Sequence, residues 1–138
     1  GRSVPHDLPR VEFTHWLLAN LPGACRAIAA GEFSDGVTAR GKAAAGAHGS
    51  LQGLNDYTGW FAGDADMAGD YHGYDGPCPP WNDERMHHYT FTVYALSVPA
   101  LALPERYSVS DLRSAMAGHV LASANLTGRY TLNPAVAY

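Results

Sequence analysis

The sequence predicts a mostly β protein, and three observations carry that expectation. The stretch from His87 to Val98 alternates in strand fashion; glycine and proline are frequent, with 15 and 9 residues; and only one segment has clear helical spacing. With 138 residues, 46% of them hydrophobic and 16% charged, the chain is long enough to bury one core. Short strands joined by long ordered loops are expected, in a single domain over residues 1–138.

The first strand is expected over Val11 to Asn20, which reads V-E-F-T-H-W-L-L-A-N. Val11, Phe13, His15, Leu17 and Ala19 fall on one face, Trp16 and Leu18 on the other. Apolar residues on both faces describe a strand covered on both sides, which puts His15 in a half-buried or buried position. Leu21-Pro22-Gly23 ends it, and Ala24 to Ala30 reads as two helical turns closed by Gly31. Ser34 to Asp70, rich in Gly, Ala, Asp and Asn, reads as long loops with a short strand around Tyr57 to Phe61. The turn from Gly73 to Pro80 carries three prolines, one of them a candidate for a cis bond.

His87 to Val98 is the clearest strand and is expected to be central. His87, Tyr89, Phe91, Val93 and Ala95 share one face. Ser108 caps a helix with Asp111 three residues on, and Leu112, Ala115, Met116, His119, Val120 and Ser123 recur at helical spacing through Ala124. Leu126 to Leu132 reads as a last strand, ended by Asn133-Pro134.

Composition excludes several classes. A formal net charge of −4 with only nine Lys and Arg argues against a nucleic-acid surface. No apolar run approaches the roughly 20 residues needed to span a bilayer as a helix, and the start Gly1-Arg2-Ser3-Val4-Pro5 has no signal-peptide core. The cytoplasm is the expected compartment, with a periplasmic or secreted location as the alternative. Cys25 and Cys78 are too few for a disulfide framework and are expected to be free, buried thiols.

Seven histidines invite a metal reading, yet there is no H-E-x-x-H and no cysteine pair at zinc-ligand spacing, so neither metal nor cofactor is assigned. Without a G-x-S-x-G elbow no catalytic residue is assigned, and a binding module is favoured over an enzyme. The alternative is a lyase or hydrolase using His15 or His87 as general base on a small metabolite. Cys78 in its Pro-rich turn reads as packing, and Asn82-Asp83-Glu84-Arg85 as a solvated loop without further role. His6, His48, His72, His88 and His119 read as exposed or surface-packed.

The chemistry-bearing residues are His15 on one strand and His87 with Tyr89 on another. If the two strands are neighbours, the three side chains converge, and imidazole N–H and phenol O–H groups are donors suited to a phosphate or carboxylate. Gly76, Pro79 and Pro80 supply a rim, and Trp16 a wall. A homodimer built on exposed aromatics is a third, purely structural reading.

The stretch His15-Trp16-Leu17-Leu18-Ala19-Asn20-Leu21-Pro22 resembles the H-W-x-x-x-N-L-P signature of the phosphatidylethanolamine-binding-protein (PEBP) family, of the bacterial Raf-kinase-inhibitor-like type. Gly73-Tyr74-Asp75-Gly76-Pro77-Cys78-Pro79-Pro80, followed by His87-His88-Tyr89, is similar to that family's second signature. The resemblance runs from about Val11 to Asn133. It implies a β-sandwich with a short helix after the first strand and a C-terminal helix. It also implies a small anion pocket for phosphate or a phospholipid headgroup, in which His15, His87 and Tyr89 match the family's pocket residues, and regulation of a kinase or protease. The family's upstream D-P-D-x-P motif has no counterpart here, so the domain is expected to be N-terminally incomplete.

Overall fold

The computed structural model describes residues 2–138, with elements in the order β1 (Leu18–Ala19), β2 (Leu51–Gln52), α1 (Tyr57–Trp60), β3 (His87–Leu96), α2 (Val109–Met116) and β4 (Val120–Tyr130). The chain falls into two compact units. Of the described residues, unit 1 comprises 2–12, 77–95 and 121–138, and unit 2 comprises 13–76 and 96–120.

Unit 2 contains β1, β2, α1 and α2. The strands β1 and β2 pair antiparallel, with Leu18 opposite Gln52 and Ala19 opposite Leu51. The strand expected over Val11 to Asn20 thus shrinks to two residues, because its partner is equally short. The backbone before it bonds irregularly instead: Gly53 N–H donates to the Leu17 carbonyl, Asp56 N–H to that of Thr14, and Thr14 N–H to the Asp56 carboxylate. Burial still alternates at its end, with Leu17 and Ala19 buried and Leu18 half-buried. Val11 is 88% exposed, so the apolar face does not extend to the start of the segment.

Tyr107, fully buried, closes the core of this unit against Leu17 and Ala19, with Leu51, Leu103, Val109 and Leu112 around it. Its hydroxyl donates to the Leu51 carbonyl at 2.7 Å, and its own carbonyl accepts from Leu54 N–H at 2.8 Å. Gly53 makes this possible. A Cβ there would meet Tyr107 Cε2 at 2.4 Å and Cζ at 2.7 Å, closer than real Cβ atoms come.

The helix expected over Ala24 to Ala30 does not form. Cys25 N–H bonds the Pro22 carbonyl in a turn, and the segment then runs without helical bonding. A short helix, α1, instead follows β2, at the position where the sequence suggested a strand. Asn55 Oδ1 accepts from Tyr57 N–H just before it, a local side-chain bond of the kind that starts turns. Helix α2 has its expected cap: Ser108 Oγ accepts from Asp111 N–H, and the Asp111 carboxylate accepts from Ser108 N–H. It ends early, because Gly118 takes a φ of +79°, a left-handed conformation that stops a helix at little strain. Val120 to Ala124, expected as the helix's last turns, belong to β4 instead.

Unit 1 contains β3 through Ala95 and β4 from Leu121. These strands pair with each other, and Thr90 Oγ1 lies 2.8 Å from Thr127 Oγ1 across them. Among the described residues β3 has no second neighbour, so it is an edge and not the central strand expected. Much of its apolar surface is open, as is that of β4: Phe91, Val93, Tyr94, Leu121 and Leu126 are exposed. The chain ahead of β3 is joined to the N-terminal segment by Val4 N–H to the Asn82 carbonyl and Glu84 N–H to the Val4 carbonyl. Both cysteines are free as expected, but neither is buried; Cys78 is exposed. No cis peptide bond occurs among the described residues, so the candidate cis proline is trans.

Replacing Gly53 by Ala will force a methyl into the immobile Tyr107 ring. The expected loss is about 2–3 kcal/mol, seen as a lower urea midpoint with an unchanged denaturant slope. A midpoint equal to that of the wild type would show that the ring can yield.

Candidate functional site

The residues assigned from sequence are divided between the units. His15, Trp16 and Gly76 belong to unit 2, and Pro79, Pro80, His87 and Tyr89 to unit 1.

In unit 2, His15 is half-buried within an aromatic shell, its ring 4.9 Å from Phe13, 5.6 Å from Tyr57 and 6.5 Å from Tyr74. Trp16 stacks on Tyr74 at 5.9 Å and touches Phe33, while its indole N–H donates to Gln52 Oε1 at 3.0 Å. The indole therefore offers a ligand its ring and no hydrogen bond. Burial pushes the Tyr74 phenol above its ordinary value, which keeps it neutral and able to donate. Gly76 has a φ of +87° and open space where a Cβ would stand, so glycine is needed there for backbone conformation alone. Lys42 and Asp75 form an ion pair beside this turn.

His72, read from sequence as a surface residue, is buried, with Nδ1 2.7 Å from the Gln52 carbonyl. A histidine among glycines in a long loop gives no periodicity from which burial can be read.

In unit 1, Pro79 is buried and Pro80 exposed; the Pro80 carbonyl accepts from Asp83 N–H at 3.1 Å, making a turn. His87 and Tyr89 are brought together as strand alternation requires, their rings 6.4 Å apart at an interplanar angle of 27°. Both are half-buried while His88 and Thr90 between and beyond them are exposed.

The residue that sequence reasoning missed is Asp83. It is 1% exposed, and its carboxylate binds Arg10 through two nitrogens, Nε to Oδ2 at 3.0 Å and Nη2 to Oδ1 at 2.5 Å. Arg85 N–H donates to Oδ1 at 2.9 Å, and His87 Nε2 lies 2.7 Å from Oδ2. The Asp83 carbonyl accepts from Asn133 Nδ2 at 2.9 Å. The Arg10 guanidinium, helped by His87 and the Arg85 amide, holds the Asp83 carboxyl well below the usual carboxylate range against the opposing effect of burial. Among four consecutive polar residues, nothing local distinguishes the buried member. The available signal was the spacing of Asp83 and His87, with Arg10 as a distant cation. Arg85 Nε is buried with no hydrogen-bond partner among the described residues, a cationic donor in reserve. No three His, Cys, Asp or Glu side chains among the described residues cluster at metal-binding distances.

A family model described as phosphatidylethanolamine-binding protein matches residues 4–131. The chain belongs to the phosphatidylethanolamine-binding-protein family. It is 35% identical over 124 residues to a UPF0098 protein of Pyrococcus horikoshii, a match covering 90% of this chain and 52% of that protein. It is 33% identical over 124 residues to a UPF0098 protein of Aquifex aeolicus, covering 90% and 60% respectively. The crystal structure of Escherichia coli YbcL, described as a new member of the mammalian PEBP family, superposes with a TM-score of 0.57 at 25% identity, over 86% of this chain and 61% of that one. The PEBP fold, mostly β with few helices, is thereby established. This PEBP chain spans between about half and two thirds of the length of four curated archaeal and bacterial relatives it matches. Among its described residues no helix is long and apolar enough to cross a membrane.

Because the native Asp83 carboxyl titrates below its unfolded value of about 3.9, the folded state binds fewer protons there in acid. Its contribution to stability is therefore complete above about pH 5 and is lost as the pH falls. The urea midpoint is expected to drop between about pH 6 and pH 3, and Asp83→Asn to flatten that slope. An unchanged slope in the variant would show that other carboxylates carry the acid sensitivity.

Proposed function

We propose that this protein binds a small anionic ligand, phosphate or a phospholipid headgroup, through His87 and Tyr89 in unit 1. Pro79 and Pro80 contribute apolar and backbone surface around the ligand. The observation that carries the proposal is the state of His87: one ring nitrogen is fixed by a buried carboxylate while about a quarter of the side chain, 26%, stays open. An imidazole so held is preorganised for a ligand and loses little freedom on binding one. The Arg85 Nε, buried without a hydrogen-bond partner among the described residues, and the family's description as phosphatidylethanolamine-binding support the same chemistry. Regulation of a kinase or protease through this surface belongs to the proposal, and its support is the family resemblance alone.

The same Asp83 to His87 bond favours a second reading. A carboxylate that orients an imidazole is the arrangement used by general bases. On that reading the protein is a lyase or hydrolase acting on a small metabolite. Turnover that His87→Ala abolishes and a Cys78 variant retains would establish it.

Calorimetric titration with inorganic phosphate and with phosphoethanolamine is expected to show saturable binding without product. His87→Ala is expected to weaken it roughly tenfold or more, the worth of one charge-assisted hydrogen bond. A wild-type protein that binds neither compound, or an unaffected variant, would reject the assignment.

A further inference from the structure

The Asp83 carboxylate has about four acceptor positions, and all are occupied. Oδ1 accepts from Arg10 Nη2 and Arg85 N–H, and Oδ2 from Arg10 Nε and His87 Nε2. Paired to a guanidinium, this carboxyl stays ionised and can only accept. The hydrogen between Oδ2 and the imidazole therefore sits on His87 Nε2. In the neutral ring this leaves a lone pair on Nδ1, which has no hydrogen-bond partner among the described residues. A neutral His87 can then accept a hydrogen bond from a ligand at Nδ1 but cannot donate one. Only the imidazolium offers Nδ1–H to an oxyanion.

The positive Arg10 and negative Asp83 offset one another, and the ring of Tyr89 stacks on His87. Glu84 is exposed and engaged elsewhere, accepting from Ser3 Oγ at 2.5 Å and His6 N–H at 3.1 Å. Arg85 donates its backbone N–H to Asp83.

We propose that Asp83, clamped by Arg10, is a positioning residue that reserves His87 Nε2, leaves Nδ1 for the ligand, and couples capture of a proton-free oxyanion to protonation of His87. This rests on the ligand-binding assignment made above and adds a rule to it. An anion that carries its own proton, such as a phosphate monoanion, is bound by neutral His87 as acceptor. An anion that carries none takes up a proton on binding.

The test is long-range proton–nitrogen NMR of the His87 ring in the full chain, free and with inorganic sulfate, whose charge is constant near neutrality. At about pH 8.5, where imidazoles are mostly neutral, the free protein should show a single Nε2–H tautomer. Saturating sulfate at about pH 7.5 should move His87 Nδ1 to the protonated state. Asp83→Asn should replace the single tautomer by a mixture, but the wild-type spectra decide the matter even where that variant does not fold. An Nδ1–H tautomer in the free protein, or an Nδ1 left unprotonated with sulfate bound, overturns the proposal while leaving ligand binding intact. An Nε2–H tautomer with neither sulfate nor phosphate binding would instead show the underlying ligand assignment to be at fault.

Discussion

The Asp83 carboxylate is the constraint on which unit 1 is organised. Three separated stretches of chain meet at this residue: Arg10 from the N-terminal segment, Arg85 and His87 from the approach to β3, and Asn133 from beyond β4. A carboxylate this deeply buried is tolerated because each of its acceptor positions is filled and its charge is matched by a guanidinium. Any change that empties one of those positions leaves a buried charge only partly compensated. The arrangement also joins the stability of the unit to the orientation of the half-buried His87 imidazole.

Unit 2 rests on a different device, steric and not electrostatic. Tyr107 fills the space between the β1–β2 pair and α2, and its hydroxyl reaches the backbone of β2 because residue 53 has no side chain to keep the ring away. This is a close approach of ring to backbone of the kind glycine permits. It also accounts for the shortness of β2. After Leu51 and Gln52 the backbone turns its hydrogen bonds to Leu17, to Tyr107 and to Tyr71 in succession, so no regular ladder continues.

What could be read from the sequence was what depends on near neighbours in the chain. The alternation from His87 onward and the Ser108–Asp111 capping box are local patterns, and both are present. The two family signatures pointed to the PEBP fold for a related reason, since each is a short run of residues in fixed order. The failures lie where tertiary partners decide. Val11 to Leu17 has strand periodicity but no partner strand to bond, and Ala24 to Ala30 has helical composition but no capping or packing to hold two turns. Val120 to Ala124 fits either period, and Gly118 tips it to β. Within the candidate site, His87 and Tyr89 followed from alternation, while Asp83 was hidden because its burial depends on an arginine more than 70 residues away.

The pairing of β3 with β4 alone has one more consequence. In a two-stranded ribbon each strand directs every second amide and carbonyl away from its partner, so among the described residues both edges of this ribbon are unpaired. Open edges that carry Phe91, Val93, Leu121 and Leu126 are templates on which another strand can add by main-chain hydrogen bonding alone, whatever its sequence. The order of β3, and with it the footing of the His87 and Tyr89 rings, is thus open to being set by whichever backbone lies alongside.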